Sequence, residues 1–244
     1  MESLVVCGRE EVGRAGAAVV AAALRQQPRL VLGLATGETT LPFYRELVRL
    51  HREEGLDFAG VTTFNLDEYY GLGPEDPRSY HHFMQERFFR HVNLDPARTH
   101  LPDGLATDVA AECRRYEALI AAAGGIDLQV LGIGVNGHIG FNEPGTALAA
   151  ETQLVRLRPE TIHRNERLTQ ATALPEQAIS LGVKTIMHTR RLLLLAAGPE
   201  KAPAVAAALE GPVTDAVPAS VLQLHPALTV ILDRDAAGCL RARQ

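Results

Sequence analysis

Residues 130–145 read VLGIGVNGHIGFNEPG, and this stretch indicates both the fold and a functional site. It continues an apolar run that starts at residue 126, which is typical of a strand buried on both faces of a sheet. Closely spaced glycines follow, and they permit tight turns and a close approach of the backbone to a bound molecule. Among them lie Asn136, His138 and Glu143. A polar loop of this composition after a buried strand predicts an active site.

Apolar segments with strand and helix character alternate along the rest of the chain. Strands are expected at residues 4–7, 30–35, 61–66, 126–133, 152–157, 191–197 and 228–232. Helices are expected at residues 10–27, after 40, at 79–91, at 106–123 and from about 201 to 209. The alternation predicts an α/β fold, a Rossmann-like open and mostly parallel sheet with helices on both faces. No linker or repeat interrupts it, so residues 1–244 are expected to form a single domain.

Polar clusters follow four of the predicted strands, directly after Ala35, Leu66, Ile133 and Ala197. Ligands of open α/β sheets bind beyond the carboxyl ends of the strands. We therefore expect the four clusters to meet at one edge of the sheet and to form one site.

Two of these clusters lead into helices, whose N-termini attract anions. The first cluster contains Thr36, Gly37, Glu38 and Thr39. It is a candidate phosphate loop, although a plain turn around its glycine is the alternative. Lys201 begins the second helix and offers a compact positive charge.

Residues 158–174 are polar and are expected to form an active-site lid. Arg167 in this segment could close over a phosphate and bind it through two hydrogen bonds. Arg158 and Arg164 are expected to be solvated surface residues.

An acid–base site is predicted from two of the clusters. His138 can shuttle a proton near neutral pH, and a carboxylate such as Glu143 would orient its ring. Asp67 follows a buried strand directly and could act as a general base in carbon-acid chemistry. The plainer alternatives are a satisfied core histidine and an aspartate that caps a turn.

Residues 132–137 also match the dinucleotide-binding pattern GxGxxG. That pattern requires a helix directly after the glycines. Here the sequence continues with His-Ile-Gly-Phe-Asn-Glu-Pro, which does not open a helix, so a dinucleotide site is disfavoured.

Composition narrows the class of protein further. The net charge is -5 and the pI is near 6.0, so the chain does not have the excess of basic residues that is typical of a nucleic-acid-binding protein. The Ala/Val run at residues 15–24 is too short to span a membrane. The three cysteines are scattered, which argues against a zinc site or a disulfide framework. Cys7 and Cys239 lie in apolar segments and are expected to be buried free thiols in a reducing cytoplasm.

Several segments together resemble the glucosamine-6-phosphate deaminase family, in its short non-allosteric form. They are LGLATGETT (32–40), VTTFNLDEYYGL (61–72), SYHHFM (79–84), LGIGVNGHIGFNEPG (131–145), the lid residues NER (165–167), GPEKAPAV (198–205) and SVLQLHP (220–226). They cover nearly the whole chain, and the combination of FNLDEYYGL with GHIGFNEPG is highly specific.

The resemblance implies conversion of glucosamine 6-phosphate and water to fructose 6-phosphate and ammonia, without a metal or organic cofactor. Asp67 would move a proton between C1 and C2 through a cis-enolamine. His138 would catalyse ring opening, with Glu143 and Asn136 completing its relay. The phosphate would be held by Thr36, Gly37, Glu38, Thr39, Arg167 and Lys201. The partner would be a small sugar phosphate and neither nucleic acid nor membrane, and both a monomer and a homo-oligomer remain open.

The chain departs from the family pattern at several positions. Some members carry Asp where this chain has Asn136, and Asn cannot relay charge. Glu38 places a like charge beside the phosphate, and Ile162 replaces the first arginine of the lid pattern. Gln153 and Val155 stand where allosteric members carry basic residues, and their C-terminal extension is absent. We therefore expect no activation by N-acetylglucosamine 6-phosphate.

Two other functions are compatible with parts of the pattern. A 6-phosphogluconolactonase-like hydrolase shares the fold and a Gly-x-Asn/Asp-Gly-His loop, but that loop does not continue into Phe-Asn-Glu-Pro, as residues 141–144 do here. A non-catalytic sugar-phosphate sensor would need a DNA-binding segment before the sheet, whereas the first strand is expected at residue 4.

Overall fold

A computed structural model describes residues 2–169 and 173–241. Within these ranges, strands and α-helices alternate as the sequence predicts. The strands are β1 (Glu2–Val6), β2 (Val31–Leu34), β3 (Thr62–Asn65), β4 (Asp67–Tyr69), β5 (Thr99–His100), β6 (Leu128–Leu131), β7 (Gln153–Arg156), β8 (Gln177–Ser180), β9 (Leu192–Ala196) and β10 (Leu228–Asp233). The helices are α1 (Arg9–Gln26), α2 (Thr40–Glu54), α3 (Tyr80–Arg87), α4 (Val109–Ala122), α5 (Pro159–Thr169), α6 (Val183–Met187) and α7 (Ala202–Glu210).

Seven strands form the main sheet, in the order β1-β10-β9-β6-β2-β3-β5. All neighbouring pairs in it are parallel. Every residue of β2, β6 and β9 is buried, as expected for central strands covered on both faces.

Apolar cores lie on both faces of this sheet. Successive side chains of a strand point to opposite faces. Accordingly, Leu193 and Leu195 of β9 pack in the core formed with α1 and α2, whereas Leu192 and Leu194 pack in the core formed with α4 and α7. The predicted α/β architecture is therefore confirmed.

A second, antiparallel sheet of order β4-β8-β7 was not expected from the sequence. Leu66 connects the two sheets, because its N–H bonds to Leu34 O in the main sheet and its carbonyl accepts from Leu181 N. Asp67, predicted to follow a buried strand, is itself the first residue of a short strand and pairs with Ser180.

The prediction for two of the cysteines is wrong. Cys7 lies just beyond β1 and is exposed, as is Cys239, whereas Cys113 is buried. An apolar neighbourhood in sequence did not bury Cys7, because β1 is an edge strand whose side chains are largely exposed. No helix in the described ranges is long and apolar enough to cross a membrane.

Candidate active site

A cavity of about 310 Å³ opens where the carboxyl ends of β2, β3 and β6 meet. The residues that follow β2, β3, β6 and β9 all contribute to its walls, so the four predicted polar clusters do converge. Helix α5, within the predicted lid, supplies a further wall through Thr161, Arg164 and Asn165.

The imidazole of His138 lies on the backbone of Gly134 in the cavity wall. A Cβ added at residue 134 would come within 2.4 Å of Nδ1 and Cε1 of the ring, so only glycine leaves room for the ring. The backbone N–H of His138 donates to Asn136 Oδ1 at 3.2 Å, and Gly134 N donates to His138 O at 2.9 Å. The glycines of the loop thus fix the position of a histidine that faces the cavity.

Glu143 lies behind His138 and does not line the cavity. Its Oε2 is 3.6 Å from His138 Nδ1 and accepts a hydrogen bond from Asn136 Nδ2 at 2.7 Å. Its Oε1 accepts from the hydroxyl of Thr161 at 2.6 Å. Burial raises the pKa of this carboxyl, but the adjacent His138 and the bonds from Thr161 and Asn136 outweigh it and lower the pKa to about 2. Glu143 is therefore ionised beside the imidazole, and Asn136 orients it by donation.

Thr161 was not predicted from the sequence, since a threonine near the start of a polar helix carries no signal of burial. It is 5% exposed, and it ties α5 to the carboxylate behind His138. The backbone N–H of Arg158 also donates to Glu143 Oε1, at 3.3 Å. Residues 158–161, at the start of the segment predicted to be a lid, are therefore bonded to the carboxylate behind His138; residues 170–172 of that segment lie outside the described ranges.

Asp67 faces the cavity from the start of β4 and is 5% exposed. Burial, together with the neighbouring charge of Glu68, raises its pKa to about 8. Glu68 serves a different purpose, since it accepts hydrogen bonds from the backbone N–H groups of Tyr80 and His81 at the start of α3. Of the two adjacent acids, Asp67 is thus the one available to a ligand.

Tyr80 is a cavity residue to which sequence reasoning assigned no role. Its ring stacks on Phe141, with centroids 5.7 Å apart and planes 13° from parallel. The amide of Asn165 donates to the hydroxyl of the neighbouring Tyr69 at 2.9 Å. These contacts make an aromatic wall between Asp67 and α5.

The other end of the cavity is suited to an anion. The turn before α2 lines it with Thr36, Gly37, Glu38, Thr39 and Thr40. Gly37 has φ of 117°, which favours glycine, and its carbonyl accepts from the Thr40 hydroxyl at 2.8 Å. Lys201 is 9% exposed, and its Nζ donates to Ile133 O at 2.6 Å. Burial lowers its pKa to about 8.

The arginines are placed differently from the prediction. Arg167 is exposed and is not among the residues that line the cavity. Arg164, expected to be a solvated surface residue, lines the cavity with 21% of its side chain exposed and pairs with Glu200 at 2.9 Å. The two residues lie about one helical turn apart on α5, and Arg164 is the one nearer the start of the helix. Arg158 is exposed, as expected, although it reaches the rim of the cavity.

Glu38 faces the site and is paired with a cation. It lines the cavity and forms an ion pair with Arg9, from the first turn of α1. The like charge in the predicted phosphate loop is therefore compensated by Arg9, which no local sequence pattern connects to this turn.

The fold and the site together define a class of sugar-phosphate enzymes. Residues 9–231 match the family described as "Glucosamine-6-phosphate isomerases/6-phosphogluconolactonase", and the chain belongs to this family.

Individual members of the family are similar to this chain to different degrees. The glucosamine-6-phosphate deaminase of Halothermothrix orenii is 51% identical over 241 residues, which are 98% of this chain and all of that protein. The solved structure of a monomeric glucosamine-6-phosphate deaminase superposes with a TM-score of 0.94 at 45% identity, covering 98% of this chain and 100% of that one. The 6-phosphogluconolactonase of Trypanosoma brucei shares the fold, with a TM-score of 0.79 at 19% identity and 98% of each chain covered.

Proposed function

We propose that this protein is a glucosamine-6-phosphate deaminase, an aldose–ketose isomerase that also releases ammonia. It would convert glucosamine 6-phosphate and water to fructose 6-phosphate and ammonia. The observation that carries the proposal is one cavity holding a buried carboxyl, a histidine beside an ionised carboxylate, and an anion-binding end. Relatives with this name, 45–51% identical over nearly the whole chain, support it.

Ring opening is assigned to His138. Opening a pyranose removes a proton from the C1 hydroxyl and delivers one to the ring oxygen, and an imidazole can do both. The ionised Glu143, 3.6 Å from Nδ1, stabilises the imidazolium formed between the two transfers. Asn136 does not relay charge; it holds Glu143 Oε2 in place.

Proton transfer between C1 and C2 is assigned to Asp67. A base works best when its pKa lies near the working pH, and burial brings this carboxyl to about 8. The amino group of the substrate is cationic, and a cation beside the carboxyl favours its ionised form. Substrate binding therefore generates the base that abstracts the C2 proton and returns it to C1 through a cis-enolamine, before water displaces ammonia at C2.

The phosphate is assigned to the opposite end, at the N-terminus of α2 and Lys201. Thr36, Gly37, Glu38 and Thr39 contribute through the turn, where backbone N–H groups serve an anion without help from the Glu38 carboxylate. Arg167 remains a prediction from the family resemblance, because its contact with phosphate requires α5 to move further over the cavity. No cofactor enters any of these steps.

The setting of the protein follows from the same proposal. Its partner is a small sugar phosphate, and its metabolic role is in amino-sugar breakdown in the cytoplasm. We infer that it acts as a monomer, as the deaminase of the similar solved structure does.

A coupled assay tests the function directly. Purified protein is supplied with glucosamine 6-phosphate, and both ammonia and fructose 6-phosphate are measured, with 6-phosphogluconolactone as the control substrate. We expect equal amounts of the two products and no hydrolysis of the lactone. Lactone hydrolysis without ammonia release would assign the chain to the other branch of its family, and binding without turnover of either compound would make it a sensor.

The Asp67→Asn variant tests the mechanism. It should bind the sugar phosphate and release no ammonia, because an amide cannot accept the C2 proton. Unimpaired ammonia release would remove Asp67 from its role as base.

A further inference from the structure

Two arginine–glutamate pairs line the anion end of the cavity, and they come from four different segments. Arg9 at the start of α1 pairs with Glu38 in the turn before α2. Arg164 of α5 pairs with Glu200 in the turn before α7, at 2.9 Å. All four side chains border the cavity. Neither arginine was predicted from the sequence to belong to the site.

Both pairs line the same cavity as Lys201. After burial, the charge of Arg164 is the main influence that lowers the pKa of Lys201, while Glu200 and Glu38 act in the opposite direction and Arg9 lowers it slightly. All four charges are therefore close enough to act on Nζ. The cluster holds three cations and two carboxylates, so most of its positive charge is neutralised within the cluster.

We propose that Arg9 and Arg164 are phosphate-binding residues and that Glu38 and Glu200 hold them in position until a phosphate dianion takes their place. The proposal deepens the proposed function, on which it rests for the identity of the sugar but not for the binding of phosphate. On phosphate binding, each guanidinium exchanges a carboxylate for a phosphate oxygen, and the repelled glutamate turns toward solvent.

The chemistry of the groups favours this exchange. A guanidinium presents a planar fork of donors that fits phosphate as well as carboxylate, and a dianion attracts it more strongly than a single negative charge does. The glutamates have room to leave, since each has 38% of its side chain exposed. The arginines are more enclosed, with 34% and 21% exposed, and stay at the cavity.

A third pair in the same region provides a matched control. Arg45 of α2 and Glu10 of α1 form an ion pair at 2.6 Å, whereas the first pair joins α1 to the turn before α2. Their side chains are 66% and 64% exposed, and neither borders the cavity. An effect that is general to ion pairs on these helices would appear at Arg45 as well.

The test is calorimetric titration of the full chain with inorganic phosphate. Arg9→Gln and Arg164→Gln should each raise the dissociation constant about tenfold, because each loses a charge-assisted hydrogen bond. Glu38→Gln and Glu200→Gln should lower it about threefold, because the competing carboxylate is gone. Arg45→Gln should bind phosphate as the wild type does.

Opposite signs for the two partners of one pair are the decisive result. If both partners of a pair shift binding in the same direction, or if Arg9→Gln and Arg164→Gln match Arg45→Gln, the pairs are structural and the proposal is wrong. Absence of phosphate binding by the wild type would also overturn it. Arg164→Lys guards against a folding defect, since it keeps the charge and should weaken binding by an intermediate amount. The titration requires no turnover, so failure of the deaminase assay would leave its result interpretable.

Discussion

Replacing Asp67 with asparagine is expected to stabilise the fold while it removes the proposed base. The carboxyl is 5% exposed, and burial with the charge of Glu68 raises its pKa from 3.8 to about 8. In the unfolded chain the same group titrates near its ordinary value. Between these two values the unfolded chain is ionised and the folded chain holds a proton, so the stability that this group contributes is complete at low pH and is lost as the pH rises toward 8.

The size of the effect follows from the same two values. One pKa unit is worth about 1.4 kcal/mol, so the ceiling is about 4 kcal/mol at pH 7 and about 6 kcal/mol at pH 8 and above. Water in the cavity solvates part of the charge, and we expect a measured gain of about 1–3 kcal/mol for Asp67→Asn at neutral pH. The asparagine avoids the cost because it is neutral at every pH.

Urea unfolding of both proteins at several pH values between 5 and 9 measures this gain. The difference in the free energy of unfolding should grow with pH and level off above about pH 8. Asp57→Asn is the control of opposite sign. The Asp57 carboxylate accepts bonds from Ala59 N and the Asn93 side chain, which lower its pKa. Its loss should destabilise the fold by an amount that does not change between about pH 5 and 9, because the group is ionised there in both the folded and the unfolded chain. A gain for Asp67→Asn that is absent, or that does not change with pH, would refute the burial of a neutral carboxyl.

Three further predictions concern the loop and the small sheet. His138→Gln should slow ring opening, so a variant as fast as wild type on the cyclic substrate would end that assignment. Gly134→Ala places a Cβ 2.4 Å from the His138 ring and should reduce kcat/KM about 100-fold by displacing the ring. Gly132→Ala is the control, since its Cβ meets nothing within 4 Å, and its kcat/KM should fall far less. Equal losses in the two variants would contradict the steric reasoning. N-acetylglucosamine 6-phosphate should leave the substrate curve unchanged, because Gln153 and Val155 offer no cation to it; a clear drop in half-saturation would reveal an effector site.

Most of the main sheet could be predicted because its central strands are encoded locally. The run LLLLA of β9 must be buried on both faces, whatever surrounds it, and the polar residues after such strands necessarily meet at one edge. That reasoning placed Asp67, His138 and Lys201 in one cavity without knowledge of the strand order. The family could be predicted for the same reason, because the motifs that carry the resemblance lie at the ends of these strands. The match of residues 9–231 to the family confirms that prediction.

The remainder depends on contacts between distant residues. β4 has only three residues, two of them acidic, and it is a strand because β8, more than 100 residues later, pairs with it. Arg164 and Arg167 are equivalent in a helical pattern, and only the packing of α5 decides which one borders the cavity. Arg9 reaches Glu38 because α1 packs beside α2, a contact that no local pattern encodes.

The connection at Leu66 also has a practical meaning for protein engineering. Asp67 and α5 belong to one backbone unit, because β4 pairs with β8, β8 pairs with β7, and α5 follows β7. His138 and the turn before α2 follow strands of the main sheet instead. A library that varies β7 and α5 therefore changes the wall of the cavity that α5 forms and also the sheet that positions Asp67. A segment exchanged between relatives should accordingly begin at residue 67 rather than at residue 158.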